Sequence, residues 1–371
     1  MCHSKDQLLV DHRLSQLSTW INQQLLQSHR YQGPSLSLEV VSGDASFRRY
    51  FRCRYQSSAG QAESVICVDA PPDKENNPAF VNVLQGLKAA GVPVPDLLAL
   101  DYDQGFMMLS DLGDCLLMSV LNEASVEGYF EKACNVLLRI MQAEFRLSPL
   151  PPYDEALMMR EMELFRDWFC GRYLQLELSE AEQQLLSEAF HCLFQQTRTQ
   201  ETVPVHRDYH TRNLMVLEDG SLGVIDFQDA VAGPVTYDLL SLLRDETCIT
   251  WPESKVKTWT GRFAGQLRQR GLSNLTNDDF WYGFNVMGAQ RHLKVAGIFA
   301  RLCYRDSKPN YLIHTPKTLR YLLQELSVVV VQGPQAEIEP VVRLKAWLQQ
   351  RVAAELVSRQ PGSGELLEPL V

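Results

Sequence analysis

Apolar residues recur along the chain first with a helical period and then with the period of a strand. In "DQLLVDHRLSQLSTWINQQLL" the positions Leu9, Leu14, Leu17 and Ile21 share one helical face, which predicts a leading helix. The Gly33-Pro34 pair breaks that pattern. Five short runs follow, "LSLEVVSG", "FRRYFRCRY", "ESVICVDA", "DLLALDYD" and "GFMMLSD", each bounded by turn residues. They read as strands. One helix interrupts them, over 78–90, and Gly91 ends it. Five strands with one inserted helix predict a small antiparallel-sheet lobe.

Beyond "DLGD" at 111–114 the period becomes helical again. Long segments near 124–146, 154–173 and 178–197 predict helices, and two short strands, "NLMVL" and "LGVIDF", come next. Further helices are expected near 235–246, 253–270, 277–304, 316–330 and 339–358. The tail "SRQPGSGELLEPLV" is expected to be loose. The expected fold is therefore α+β with two lobes: a sheet lobe over 1–110, a larger helical lobe over 111–358 and a tail over 359–371. A connector between two lobes is a natural place for a ligand.

Composition narrows the functions. A net charge of −10 argues against a nucleic-acid partner, which would call for a basic surface. No basic segment followed by an apolar one opens the chain, and no apolar run is long enough to span a membrane. Nine cysteines, an odd number with no CxxC pair, read as reduced thiols in a cytoplasm. Nothing in the sequence calls for an obligate protein partner.

The candidate chemistry is concentrated in "VPVHRDYHTRNLMV" at 203–216 and in "GVIDFQD" after it. Phosphoryl transfer from ATP needs a carboxylate to orient and deprotonate a hydroxyl, and oxygen ligands to hold magnesium on the phosphates. Asp208 has the place of the base in H-x-D-x-x-x-x-N. Asn213 and Asp226 supply hard oxygen donors suited to Mg2+. His206, Arg207 and Arg212 are expected to hold the loop's shape, with Asp238 anchoring it.

The stretch "HRDYHTRNLMV…GVIDFQDAVAGPVTYDLLSLLRD" resembles the aminoglycoside phosphotransferase family, a branch of the protein-kinase-like fold. "GDASFRRYFR" and "QRHLKVAGIFARL" are similar to the kinases within it that phosphorylate the anomeric hydroxyl of N-acetylmuramate and N-acetylglucosamine in peptidoglycan recycling. The resemblance implies ATP and a small sugar as substrates. Gly43, Ala45 and Ser46 would approach the phosphates from a hairpin, as backbone nests do. The backbone between Ser110 and Leu112 would meet adenine. One departure stands out: the third strand, "SVICVDA", lacks the lysine that protein kinases pair with a helix glutamate. An arginine of the first hairpin, with Arg49 and Arg52 as candidates, or Lys74, would take that role.

On the acceptor side the candidates are His210, Gln228 and Asp229, together with a basic stripe. The segment 284–320 holds seven Lys/Arg and a single acid, Asp306. Arg291, Lys294, Arg301 and Arg305 fall on one stripe of it, which would suit a carboxylate-bearing sugar. Other readings are a kinase for an aminoglycoside, choline or a homoserine-like alcohol, and a non-catalytic nucleotide-binding protein. A protein kinase is disfavoured, since no A-P-E follows Asp226.

Overall fold

The computed structural model describes residues 11–28, 31, 36–42 and 47–367. Leu9, the Gly33-Pro34 pair and the hairpin candidates Gly43, Ala45 and Ser46 lie outside the described residues. The chain divides into two compact units. The first comprises Met1–Cys115, Phe145–Ser148 and Met215–Gln228; the second comprises Leu116–Glu144, Pro149–Leu214 and Asp229–Val371.

The first unit opens with helix α1 (His12–Gln27), capped by the Asp11 carboxylate, which accepts from Leu14 N–H at 3.0 Å. Strands β1 (Leu38–Ser42), β2 (Arg49–Gln56) and β3 (Ala62–Asp69) follow. Helix α2 (Asn77–Ala89) separates them from β4 (Leu97–Asp101) and β5 (Phe106–Ser110). The five strands form one antiparallel sheet in the order β1-β2-β3-β5-β4. Alternation decides what each face buries. Phe51, Cys53 and Tyr55 of β2 join Val65, Cys67, Phe106 and Met108 in one core with Leu17, Trp20, Ile21 and Leu25 of α1. Alternate positions such as Arg52 take the opposite face, which frees that arginine for polar work.

The second unit is mainly helical. It begins with α3 (Leu117–Val120), α4 (Val126–Met141), α5 (Glu155–Leu164) and α6 (Glu180–Thr197), the last closed by a Ser179–Glu182 capping box. Strand β6 (Thr202–Val205) leads into the Asp208 loop. The short strands β7 (Leu214–Val216) and β8 (Leu222–Val224), almost wholly in the first unit, pair with each other around a turn at Gly220, whose φ is +74°. Strand β9 (Val231–Pro234) returns to pair with β6, Val205 opposite Val231. Helices α7 (Tyr237–Leu243), α8 (Glu253–Gln269), α9 (Asn277–Tyr304), α10 (Thr315–Gln332), α11 (Glu339–Trp347), α12 (Ala353–Arg359) and α13 (Gly364–Leu367) complete it.

The long α9 is the spine of this unit, packed against α5, α6, α8 and α10. Its apolar and polar residues alike are buried, including Asn285, Gln290, Arg291, His292 and Lys294. That pattern requires internal partners for each of them.

Four expectations differ from this architecture. The helix expected over 154–173 changes after Leu164 into a π-helical stretch, Phe165–Tyr173, and the one expected over 339–358 likewise passes through a π-helical turn, Leu348–Val352. The change after Leu164 falls where α9 presses closest, because a Cβ on Gly297 would lie 2.3 Å from the Leu164 carbonyl carbon. The pairing of β6 with β9 was not anticipated, since four-residue strands rich in Pro and Gly carry no periodic signal. The tail is not loose as far as Leu367. That side chain is buried, and Gln360 Nε2 donates to Leu312 O at 3.0 Å and to Thr315 Oγ1 at 3.1 Å.

Among the described residues no helix is long and apolar enough to cross a membrane. The close approach at Gly297 yields a test. Gly297→Ala is expected to cost about 3 kcal/mol of unfolding free energy, read by urea denaturation, because the Leu164 carbonyl it would meet is backbone and cannot swing aside.

Candidate active site

The loop from His206 to Asn213 is held from below by a single buried carboxylate. Asp238, at the start of α7, accepts the backbone N–H of His206 at 2.7 Å and that of Arg207 at 3.0 Å. Arg207 has a φ of +75°, a left-handed backbone that costs a non-glycine residue about 1–3 kcal/mol and persists only when its surroundings impose it. The two bonds from Asp238 impose it. Burial raises the Asp238 carboxyl to about 7, with the charge of Asp208 adding to the rise and the two N–H donors opposing it.

Beyond the kink the loop closes on itself. The Asp208 carbonyl accepts from His210 N–H at 3.0 Å and from Asn213 Nδ2 at 2.9 Å. Asp208 N–H donates to His206 Nδ1 at 3.3 Å, which leaves the ring proton on Nε2. Tyr209, fully buried, donates its hydroxyl to Ala133 O of α4 at 2.8 Å. Thr211 Oγ1 donates to Asp245 at 3.0 Å. These anchors fix the backbone while the Asp208 side chain stays half-buried.

A polar hub lies beside it. Glu161 of α5 receives Arg207, Lys294 at 3.0 Å, Gln290 at 3.2 Å and the hydroxyl of Tyr153. Lys294 Nζ also donates to Tyr237 at 3.2 Å. Burial alone would raise the Asp208 carboxyl, but Lys294, His210, His206 and Arg207 outweigh it and hold the group ionised, below its usual range.

In the first unit Asp226 lies two residues beyond β8. Its φ is +63°, and Gln228 Nε2 donates to its Oδ1 at 2.7 Å. Phe227 between them is buried against Phe80, 5.1 Å between ring centres. Arg49 and Arg52 are engaged with carboxylates. Arg49 and Arg13 both grip the fully buried Asp69, at 2.5 Å each. Arg52 donates to both oxygens of Asp111, at 2.6 and 3.0 Å, and to Asp114. Ser110 N–H bonds Asp96 O at 2.9 Å, whereas the Leu112 backbone makes no hydrogen bond among the described residues.

The structure does not present the basic stripe as a set of open charges. Arg291 is buried on Glu246, Lys294 on Glu161, and Arg305 pairs with its neighbour Asp306. Arg301 enters no ion pair among the described residues, and burial together with Arg305 lowers its pKa. Arg207 turns its guanidinium to Glu161 and to Asp229 O at 3.3 Å, away from the Asp238 carboxylate that holds its N–H. Arg212 Nε donates to Thr247 Oγ1 at 3.0 Å. His210 is half-buried, with its Nδ1 shielded from solvent, whereas the Asp229 side chain is exposed.

A loop of this kind identifies a family once the wider likeness is added. The family model described as phosphotransferase enzyme family matches residues 37–272. The chain belongs to that family. A Pseudomonas putida protein named N-acetylmuramate/N-acetylglucosamine kinase is 39% identical over 344 residues, covering 91% of this chain and 97% of that one. A Neisseria meningitidis protein of the same name is 39% identical over 319 residues, covering 85% and 91%. Among solved structures, a Plasmodium vivax ethanolamine kinase superposes with a TM-score of 0.60 at 10% identity, over 93% of this chain and 98% of that one. An ADP-bound aminoglycoside phosphotransferase does so with a TM-score of 0.51 at 12% identity, over 82% and 98%. These last two establish the α+β, protein-kinase-like fold.

For a phosphotransferase, Glu161, Glu246 and His292 had no signal in the sequence, whereas Arg48 belongs to the first-hairpin arginines. Glu161 and Glu246 sit in ordinary helical and loop patterns, and only tertiary packing reveals them as partners of Arg207, Lys294 and Arg291. Arg48 is nearly fully buried, 3.2 Å from Glu75, and its guanidinium lies 4.9 Å over the Phe80 ring. His292 is enclosed by Glu325 at 2.7 Å and Glu246 at 3.1 Å. Burial would lower its pKa, but the two carboxylates raise it to about 9.

A folded-state pKa above the ordinary value of about 6.5 gives stability that is complete below pH 6.5 and is lost as pH rises through 9. Asp238, also raised, has the same sign but expresses it between about 4 and 7. Urea denaturation is therefore expected to show stability falling by about 3 kcal/mol between pH 7 and 10. His292→Gln should flatten that fall.

Proposed function

We propose that this phosphotransferase moves the γ-phosphoryl group of ATP to the anomeric hydroxyl of a cell-wall amino sugar, N-acetylmuramate or N-acetylglucosamine, giving the sugar 1-phosphate. The observation that carries the reading is the nearly end-to-end similarity to relatives bearing those two substrates in their name. Asp208, Asn213 and Asp226 are all present, which supports a catalytic protein over a non-catalytic nucleotide binder.

Asp208 accepts the hydroxyl proton as the new O–P bond forms and the bond to the leaving ADP oxygen breaks. An anomeric hydroxyl is more acidic than an ordinary alcohol, so an ionised carboxylate held below its usual range is still basic enough. Positioning carries most of the rate, and the Asp238 bonds and the Asn213 closure provide it by fixing the loop. Among the described residues no three His, Cys, Asp or Glu side chains gather as a metal cluster. Asn213 of the second unit and Asp226 of the first are each hard oxygen donors of the kind that would hold magnesium, which is commonly held by one or two protein ligands with phosphates and water. When bound, it supplies neutralisation of phosphate charge.

On the nucleotide side the Leu112 backbone is the adenine contact. Arg48 is the counterpart of the strand lysine. It pairs with Glu75 just ahead of α2, as that lysine pairs with a helix glutamate, while Arg49 and Arg52 are committed to carboxylates. All described cysteines are free, in keeping with a reducing cytoplasm.

Incubation with ATP, magnesium and either sugar is expected to give an anomeric phosphate ester by phosphorus NMR. No product from either sugar would remove this acceptor assignment. Asp208→Asn should lower kcat by about 10²- to 10⁴-fold with the fold retained by circular dichroism. Arg48→Met is expected to raise the KM for ATP about tenfold, and an unchanged value would exclude Arg48 from the nucleotide site.

A further inference from the structure

The two proposed acceptor sugars differ in one group, a lactyl ether that gives N-acetylmuramate a carboxylate. The stripe expected to meet it is largely spent on Glu246, Glu161 and Asp306. Another set of cations is not. Arg212 lies in the catalytic loop, one residue before Asn213, and its Nε donates to Thr247 Oγ1 at 3.0 Å. Lys317 in the first turn of α10 donates to the carbonyl of the next residue, Cys248, at 2.5 Å. Two cations from distant parts of the chain therefore hang on one turn. His314, at the head of α10, lies three residues before Lys317, and its ring faces Phe299 at 5.8 Å.

None of the three makes an ion pair among the described residues, and all three are half-buried with surface still open. The acids nearest to them are already engaged. Asp245 takes Thr211 Oγ1, Thr247 N–H and Thr247 Oγ1, and Glu246 takes Arg291 and His292. Burial lowers the pKa of His314, and Arg212 and Lys317 lower it further against the opposing fields of Asp245 and Glu246. Burial also lowers Lys317, with Asp245, Cys248 and Glu246 opposing the shift and Arg320 adding to it. Like charges brought together at the cost of desolvation are relieved by an anion.

We propose that Arg212, His314 and Lys317 form a carboxylate-binding subsite, beside the catalytic loop, that takes the acidic substituent of an amino-sugar acceptor. This rests on the acceptor reading above. Arginine supplies a planar fork for the carboxylate, lysine a charge-assisted donor and the histidine ring a further N–H donor. The consequence is selectivity for the acidic sugar over its neutral counterpart.

The test compares kcat/KM for N-acetylmuramate and for N-acetylglucosamine in the full chain with ATP and magnesium. Lys317→Met is expected to lower the ratio of the two about tenfold, through KM for the acidic sugar. Lys317→Arg should restore most of it, which loss of folding would not allow. His314→Gln should lower the ratio in the same direction. A ratio unchanged in Lys317→Met overturns the subsite while leaving the acceptor reading intact. So does a rise in the KM for ATP that is equal with both sugars, which would place these cations on the nucleotide. If the unmodified protein phosphorylates neither sugar, the acceptor reading fails and the subsite falls with it.

Discussion

The buried carboxylate of Asp238 is the constraint on which the Asp208 loop depends. Its two oxygens hold consecutive backbone N–H groups, those of His206 and Arg207, and so hold Arg207 in a backbone conformation it would not choose. Reversing the chain at that point presents Asp208 on the next residue. A carboxylate with no exposed surface is costly to bury. Here two short backbone bonds compensate, and the remaining strain is confined to one residue.

Around that anchor the second unit spends charge on internal structure. Glu161 gathers Arg207, Lys294, Gln290 and Tyr153, and Glu246 and Glu325 enclose His292 with Arg291 and Arg244 on their far sides. Each cation is matched by an acid from another segment, so the set ties α5, α9, α10 and the turn after α7 together around one polar core. Removing one member would leave a buried charge without a partner, which costs more than the pair itself contributes. The Asp208 carboxylate sits in the field of this network without being consumed by it. Its charge is balanced by Lys294, His210, His206 and Arg207 while its side chain remains partly open.

The first unit follows the same rule on its sheet. The face of β2 carrying Phe51, Cys53 and Tyr55 is sealed by α1, and arginines along the strand find acids across it: Arg49 on Asp69, Arg52 on Asp111 and Arg48 on Glu75. Asp69 stands near the end of the strand where protein kinases carry their lysine, so the polarity of that position is reversed.

By itself the sequence determined most of the elements and pointed to the family's chemistry. Short apolar runs bounded by turn residues marked all five sheet strands. Helical spacing marked α1, α2 and the long helices from α4 to α10, because burial on one face leaves a periodic trace in any single chain. Asp208, Asn213 and Asp226 stood out as candidates because phosphoryl transfer calls for those residue types at that spacing. Tertiary structure alone decided which charges are open. Arg291 and Lys294 look like a solvent-facing basic stripe along α9, yet each meets a glutamate from a segment dozens of residues away. Periodicity reports which face of a helix is polar, but not whether that face meets water or another buried polar group. The π-helical stretch after Leu164 and the pairing of β6 with β9 were hidden for a related reason. Both follow from the close approach or pairing of segments distant in the chain, which leaves no local period to read.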